Sequence, residues 1–142
     1  MFHQKKIIIK SPPQAQGRPR FCTRGAHAFA FDPHKDKKNW TKIQLAEQCE
    51  ECLKCPLILC VTFYLPIPKS ASKKKKVLMI SNEIKHTKKP DVDNLLKFIL
   101  DAMNNIVFVD DSQIWNITTI KKYSEESRTE IDIHWFKPTL IS

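Results

Sequence analysis

The chain has 142 residues, of which 24 are Lys or Arg against 15 Asp or Glu, giving a formal net charge of +9, and 42% of it is hydrophobic. That length suits one compact domain over residues 1–142, and the charge favours an anionic partner such as nucleic acid. No apolar run nears the ~18 residues of a membrane span, and "MFHQKKIIIK" has too short an apolar stretch for a signal peptide, so a cytoplasmic protein free of the membrane is expected. Five cysteines, an odd number, fit a reducing compartment rather than a disulfide framework.

"KKIIIK" reads as a strand, broken by the Pro and Gly of "SPPQAQGRPRF". In that turn-rich stretch Arg18, Arg20 and Arg24 flank Gly17 and Phe21. Arginines there would position a DNA backbone without reading its sequence, or form an ordinary exposed loop. "RGAHAFAFDP" alternates His27, Phe29 and Phe31 with alanines, as in a strand or hairpin arm. Trp40, Ile43, Leu45 and Ala46 then set the period of an amphipathic helix from His34 to about Lys54.

The end of that helix carries "CEECLKC", with Cys49, Cys52 and Cys55 three apart. Such spacing can bind zinc or an iron–sulfur cluster, with Cys60 as a fourth ligand; it is also one face of a helix. "PLILCVTFYLPIP" reads as a strand stopped by its prolines. The following "SKKKK", Ser72 to Lys76, reads as a solvated loop or as a mobile arm on phosphate.

"KKPDVDNLLKFILDAMNNIVFVDD" is the exception to the basic character, holding five of the chain's aspartates. At about 100° per residue, Leu95, Leu96, Ile99, Leu100, Ala102, Met103 and Ile106 share one arc, opposite Asp93, Asn94, Lys97, Asp101 and Asn104. Pro90 and Asp91 mark the helix start, with Asp91 as its N-cap and Asp93 as a first-turn charge. Those roles alone would account for the acids, as would an Asp93–Lys97 ion pair. "FVDD" adds Asp110 and Asp111 at the mouth of a sheet, ahead of a hairpin made of "IWNITTIKKY", "SEESR" and "TEIDIHWF". Carboxylates converging from a helix start and a strand start suit Mg²⁺, which takes a few acids plus water and phosphate. With Lys97 beside them they point to a metal-dependent nuclease.

"PDVDNLLKFILDAM" followed by "VDDSQI" resembles the RusA family of Holliday junction resolvases, with its pattern D-x-D-N-x-x-K, then D-A, then D-D-x-Q. "GRPRF" and "HAFAF" also resemble the N-terminal part of phage and prophage members. The resemblance implies metal-binding aspartates at Asp91, Asp93 and Asp111, an essential lysine at Lys97, and Asp110 as an adjacent acid that shares or shapes the site. Lys89 joins Arg18, Arg20 and Arg24 as an expected DNA contact. The fold expected is α+β, a mixed sheet packed by two helices in the order β-β-α-β-α-β-β. The function implied is Mg²⁺-dependent resolution of four-way DNA junctions by paired nicks, by a homodimer without a nucleotide cofactor. The rivals are a nuclease for other branched or flapped DNA, and a non-catalytic DNA-binding subunit whose acids merely cap a helix.

Overall fold

The computed structural model describes residues 1–17, 20–24, 27–31 and 34–137, with 20–24 and 27–31 described by their backbone alone. Along the chain run β1 (Phe2–Ile9), β2 (Arg20–Arg24), β3 (His27–Phe31), α1 (Lys35–Gln48), β4 (Leu57–Pro66), α2 (Lys73–Ile80), α3 (Val92–Met103), a 3₁₀ turn (Asp111–Gln113), β5 (Ile114–Ser124) and β6 (Arg128–Phe136). The class is α+β, as expected. The order gains a strand and a helix: β2 and β3 form a separate antiparallel hairpin, and α2 stands where "SKKKK" suggested a loop. Ser72 starts α2 by accepting a hydrogen bond from the Lys75 N–H at 3.2 Å, and Met79 in its second half is buried. Four lysines in a row hide this helix, because its apolar signal lies only in the residues after them.

The main sheet has the order β1-β6-β4-β5. β4 runs parallel to β5 and antiparallel to β6, which is antiparallel to β1. The hairpin expected of the last two strands is therefore split, with β4 lying between them. β4 buries Leu57, Leu59, Val61, Phe63 and Leu65 and takes a central place in the sheet. The short connection from Ser124 to Arg128 can still cross one strand, since two inter-strand spacings are only about 9.6 Å. A turn-rich link shows that two strands are close in sequence, not that they pair.

α3 packs as its period requires. Leu95, Ile99, Ala102 and Met103 join Ile7, Ile9, Leu45, the buried β4 residues, Ile131 and Ile133 in one core, with Leu96, Leu100 and Ile106 at its margin. Phe98, just outside the arc read from the sequence, is buried as well. Removing Leu95, which has 0% exposure, by substitution with Ala would cost about 2–5 kcal/mol.

α1 departs from expectation. Trp40 and Ile43 are exposed and Ala46 with them, while the buried stripe is Lys38, Thr41, Gln44 and Leu45. The stripe is polar because it meets polar backbone. Gln44 Oε1 accepts from the Lys10 N–H at 2.8 Å, and Gln48 both accepts from the Ile8 N–H and donates to the Ile8 carbonyl. Lys38 reaches Asp101 of α3 at 2.7 Å and lies over the Phe98 ring. α1 also stops at Gln48, short of the expected Lys54, because Cys49 turns extended and Leu53 forms a β-bridge to Phe108.

Candidate active site

The start of α3 holds two acids in different states. Asp91 opens the helix through its backbone, its carbonyl accepting from the Leu95 N–H at 3.1 Å. Its carboxylate makes no capping bond and instead accepts from Lys89 Nζ at 2.7 Å. Lys89 is 85% exposed and Asp91 45%, so this pair is weak and readily exchanged. Among the described residues Asp93 Oδ1 accepts only the adjacent Asn94 N–H, at 2.9 Å. The expected Asp93–Lys97 ion pair is not formed among the described residues. Both side chains stand exposed on the polar face of α3, whereas Asp101 on that face is taken by Lys38.

The second acidic turn lies beyond the other end of α3. Asn105 takes the left-handed conformation, φ 66°, which asparagine tolerates better than most residues, and so reverses the chain without glycine. Leu53 then holds the returning strand through Leu53 N–H to Val107 O and Val109 N–H to Leu53 O. Asp110 caps the 3₁₀ turn, accepting from the Ser112 N–H at 3.1 Å; the hydrogen bonds from Ser112 hold its carboxyl below the usual range. Asp111 is exposed, and its carboxylate has no hydrogen-bond or ion-pair partner among the described residues. Of the two adjacent acids, one serves the turn and one is uncommitted.

Gln113 fixes this turn to the rest of the fold. Its Oε1 accepts from the Val109 and Asp110 N–H groups, and its Nε2 donates to the carbonyls of Leu53 and Cys55, all at 2.9 to 3.0 Å. The sequence motif contained this glutamine, but spacing alone gave it no role. The cysteine loop is thus the platform under the acid turn. Cys49, Cys52, Cys55 and Cys60 are free thiols, with Cys49 and Cys55 packed against the core. Burial pushes the Cys49 thiol up, against the opposing charge of Lys5. The three spaced cysteines do not share a helix face, because α1 has already ended.

The structure does not draw Asp91, Asp93 and Asp111 together within one chain. Asp93 and Met103 are separated by most of the 12-residue α3, which at ~1.5 Å per residue is roughly 15 Å. The sheet gives the same answer. Pro90 is bonded to Lys121 well up β5, whereas Asp111 precedes Ile114, the first residue of that strand; the stretch between Ile114 and Lys121 spans roughly 23 Å. Accordingly, no group of three or more His, Cys, Asp or Glu side chains among the described residues could hold a metal ion. Arg18 lies outside the described residues; Arg20 and Arg24 occupy the two ends of β2, paired with Phe31 and His27, and their side chains lie outside the description.

Residues 10–134 match the family model for the endodeoxyribonuclease RusA. The chain is also 38% identical over 133 residues to the uncharacterized protein YqaN of Bacillus subtilis (strain 168), across 90% of this chain and 94% of that one. An α+β chain with these acid turns and this match belongs to the RusA endodeoxyribonuclease family. It is a nuclease, a phosphodiester hydrolase of the general junction-resolving class. Among the described residues no helix is long and apolar enough to cross a membrane.

Proposed function

We propose that the protein is a Mg²⁺-dependent endonuclease that resolves four-way DNA junctions by paired symmetric nicks, acting as a cytoplasmic homodimer in recombination and repair. The observation that carries this reading is the set of exposed carboxylates left uncommitted by the fold: Asp93, Asp111, and Asp91 held only by an exposed lysine. In a chain of net charge +9, carboxylates that the fold uses so little remain available to bind a cation. Their chemistry fits Mg²⁺, which takes one or two carboxylates and leaves its other positions to water and phosphate oxygens.

Asp91 and Asp93 would hold the ion from one protomer and Asp111 from the other, because a single chain keeps them apart. A two-fold contact forms two such sites at once, one for each strand to be nicked in a junction of near two-fold symmetry. When bound, Mg²⁺ supplies water activation and neutralises charge on the phosphodiester. Lys97 stands one turn beyond Asp93 on the same exposed face, where its ammonium offsets the charge that develops on the attacked phosphate. Lys89, released from Asp91, moves to a backbone phosphate, and Arg18, Arg20 and Arg24 hold flanking DNA.

Cleavage of synthetic four-way junction, flap and linear duplex in Mg²⁺ and in EDTA tests this. The expected result is metal-dependent nicking at symmetric positions of the junction, well above flap and duplex. Equal or faster cleavage of flaps would replace junction resolution with general branched-DNA cleavage, and no cleavage of any substrate would leave a DNA-binding subunit.

A further inference from the structure

We infer that Lys121 is a positioning residue that sets the start of α3, and with it the Asp91 carboxylate, for metal binding; this rests on the proposed role of Asp91 as a ligand. Lys121 lies on β5 opposite Phe63, so its side chain rises from the helix-bearing face of the sheet. Its ammonium donates to the Lys88 carbonyl at 2.8 Å and to the Pro90 carbonyl at 2.9 Å. Asp91 follows directly, and its carbonyl carries the first hydrogen bond of α3. Two residues along β5, the buried Tyr123 ring packs at 4.7 Å against the ring of His86, itself buried. The segment from His86 to Pro90 is therefore held to β5 at two points, one by ring packing and one by a cation on two carbonyls.

The arrangement is not needed simply to hold a loop. Lys121 is half-buried on an edge strand, and a neutral residue of the same length would pack its stem there as well. What the ammonium adds is a pair of charge-assisted bonds to the carbonyls on either side of Lys89. These bonds leave the helix-capping role to the backbone and leave the Asp91 carboxylate outside the helix end, where it pairs with Lys89. A group that orients a metal-binding carboxylate in this way acts on affinity for the metal, and removing such groups typically weakens it by about 10–100-fold.

The test is Mn²⁺ binding to the dimeric protein with and without junction DNA, followed by electron paramagnetic resonance, for the parent, Lys121→Met, Lys121→Arg, Asp91→Asn and Arg128→Met. Lys121→Met keeps the aliphatic stem and removes the donors. It should raise the Mn²⁺ concentration for half-saturation about tenfold, with junction affinity in EDTA unchanged, and Lys121→Arg should recover most of the loss. Arg128→Met, which breaks the part-buried pair with Glu130 on the face of the sheet opposite Lys121, should lower the melting temperature without moving the Mn²⁺ midpoint. Parental Mn²⁺ binding by Lys121→Met, while Asp91→Asn loses the site, would overturn the positioning role alone. A matching Mn²⁺ loss in Arg128→Met would do so too, by showing that general destabilisation is the cause. Parental Mn²⁺ binding by Asp91→Asn would overturn the ligand assignment and this inference together.

Discussion

The two ends of α3 present acids in the same proportions and use them alike. At the N-terminal end Asp91 is engaged, by Lys89, and Asp93 is exposed and nearly free. Beyond the C-terminal end Asp110 is engaged, as the cap of a 3₁₀ turn, and Asp111 is free. Yet the supports differ. The first end is clasped from β5 by Lys121, the second is fastened to the cysteine loop by Gln113, and a helix separates them. Two half-sites on separately braced scaffolds fit the proposal that a complete site is built from two copies of the chain.

The largest effects should come from removing the free acid at either end. Asp93→Asn and Asp111→Asn should each slow Mg²⁺-dependent junction nicking by several orders of magnitude, by loss of a ligand charge. Both should bind junction DNA in EDTA as tightly as the parent or slightly more tightly, because an unneutralised acid repels phosphate. Equal losses would make the ends equivalent; a large loss at one end only would break the comparison. Next comes Lys97→Ala, expected to lower single-turnover nicking by about 10²-fold with little change in binding. A parental rate in that variant would reduce Lys97 to a surface cation.

A smaller effect should separate the paired acids. Asp110→Asn keeps an N-cap of comparable quality and should retain most activity with a small drop in melting temperature, whereas Asp111→Asn should lose activity with no drop. If the two variants exchange these phenotypes, the assignment of the turn and ligand roles is reversed. The smallest effect concerns the N-terminal clasp. Burial, with the Lys121 charge second, holds the His86 pKa below its ordinary 6.5. A depressed pKa in the folded state gives stability that is complete above about pH 6.5 and is lost as pH falls through the lower folded value. His86→Phe should therefore flatten the acid side of the melting-temperature profile, measured from pH 7.5 down to 5; an unchanged slope would exclude His86 as its source.

How much of this the sequence disclosed depends on what each residue faces. α3 was legible because its partners are apolar core, so a 3.6-residue period maps directly onto burial. α1 was not, since it docks on strand backbone and on Asp101 through Gln44, Gln48 and Lys38, and polar residues in those roles look like a solvated face. Its exposed Trp40 and Ile43 gave the opposite signal. The site residues were visible as a spaced motif, yet spacing carries no distance: Asp93 and Asp111 lie close in the pattern and at opposite ends of a helix in the fold. Lys121 and Gln113 were legible only as a lysine in a strand and a glutamine after two acids, because their function is to bond backbone groups of segments distant in sequence.

The central claim, a site completed between two chains, is tested most directly by mixing two inactive variants. In the proposed homodimer, Asp93→Asn and Asp111→Asn proteins, each purified, combined and allowed to exchange subunits, form mixed dimers. In a mixed dimer one site takes Asp93 from one chain and Asp111 from the other and is whole, while its twin lacks both. Mg²⁺-dependent nicking should therefore reappear on mixing, as single nicks in one strand rather than paired nicks. A mixture that stays inactive, although exchange is demonstrated with tagged chains, would contradict the shared site and return all three acids to a single protomer.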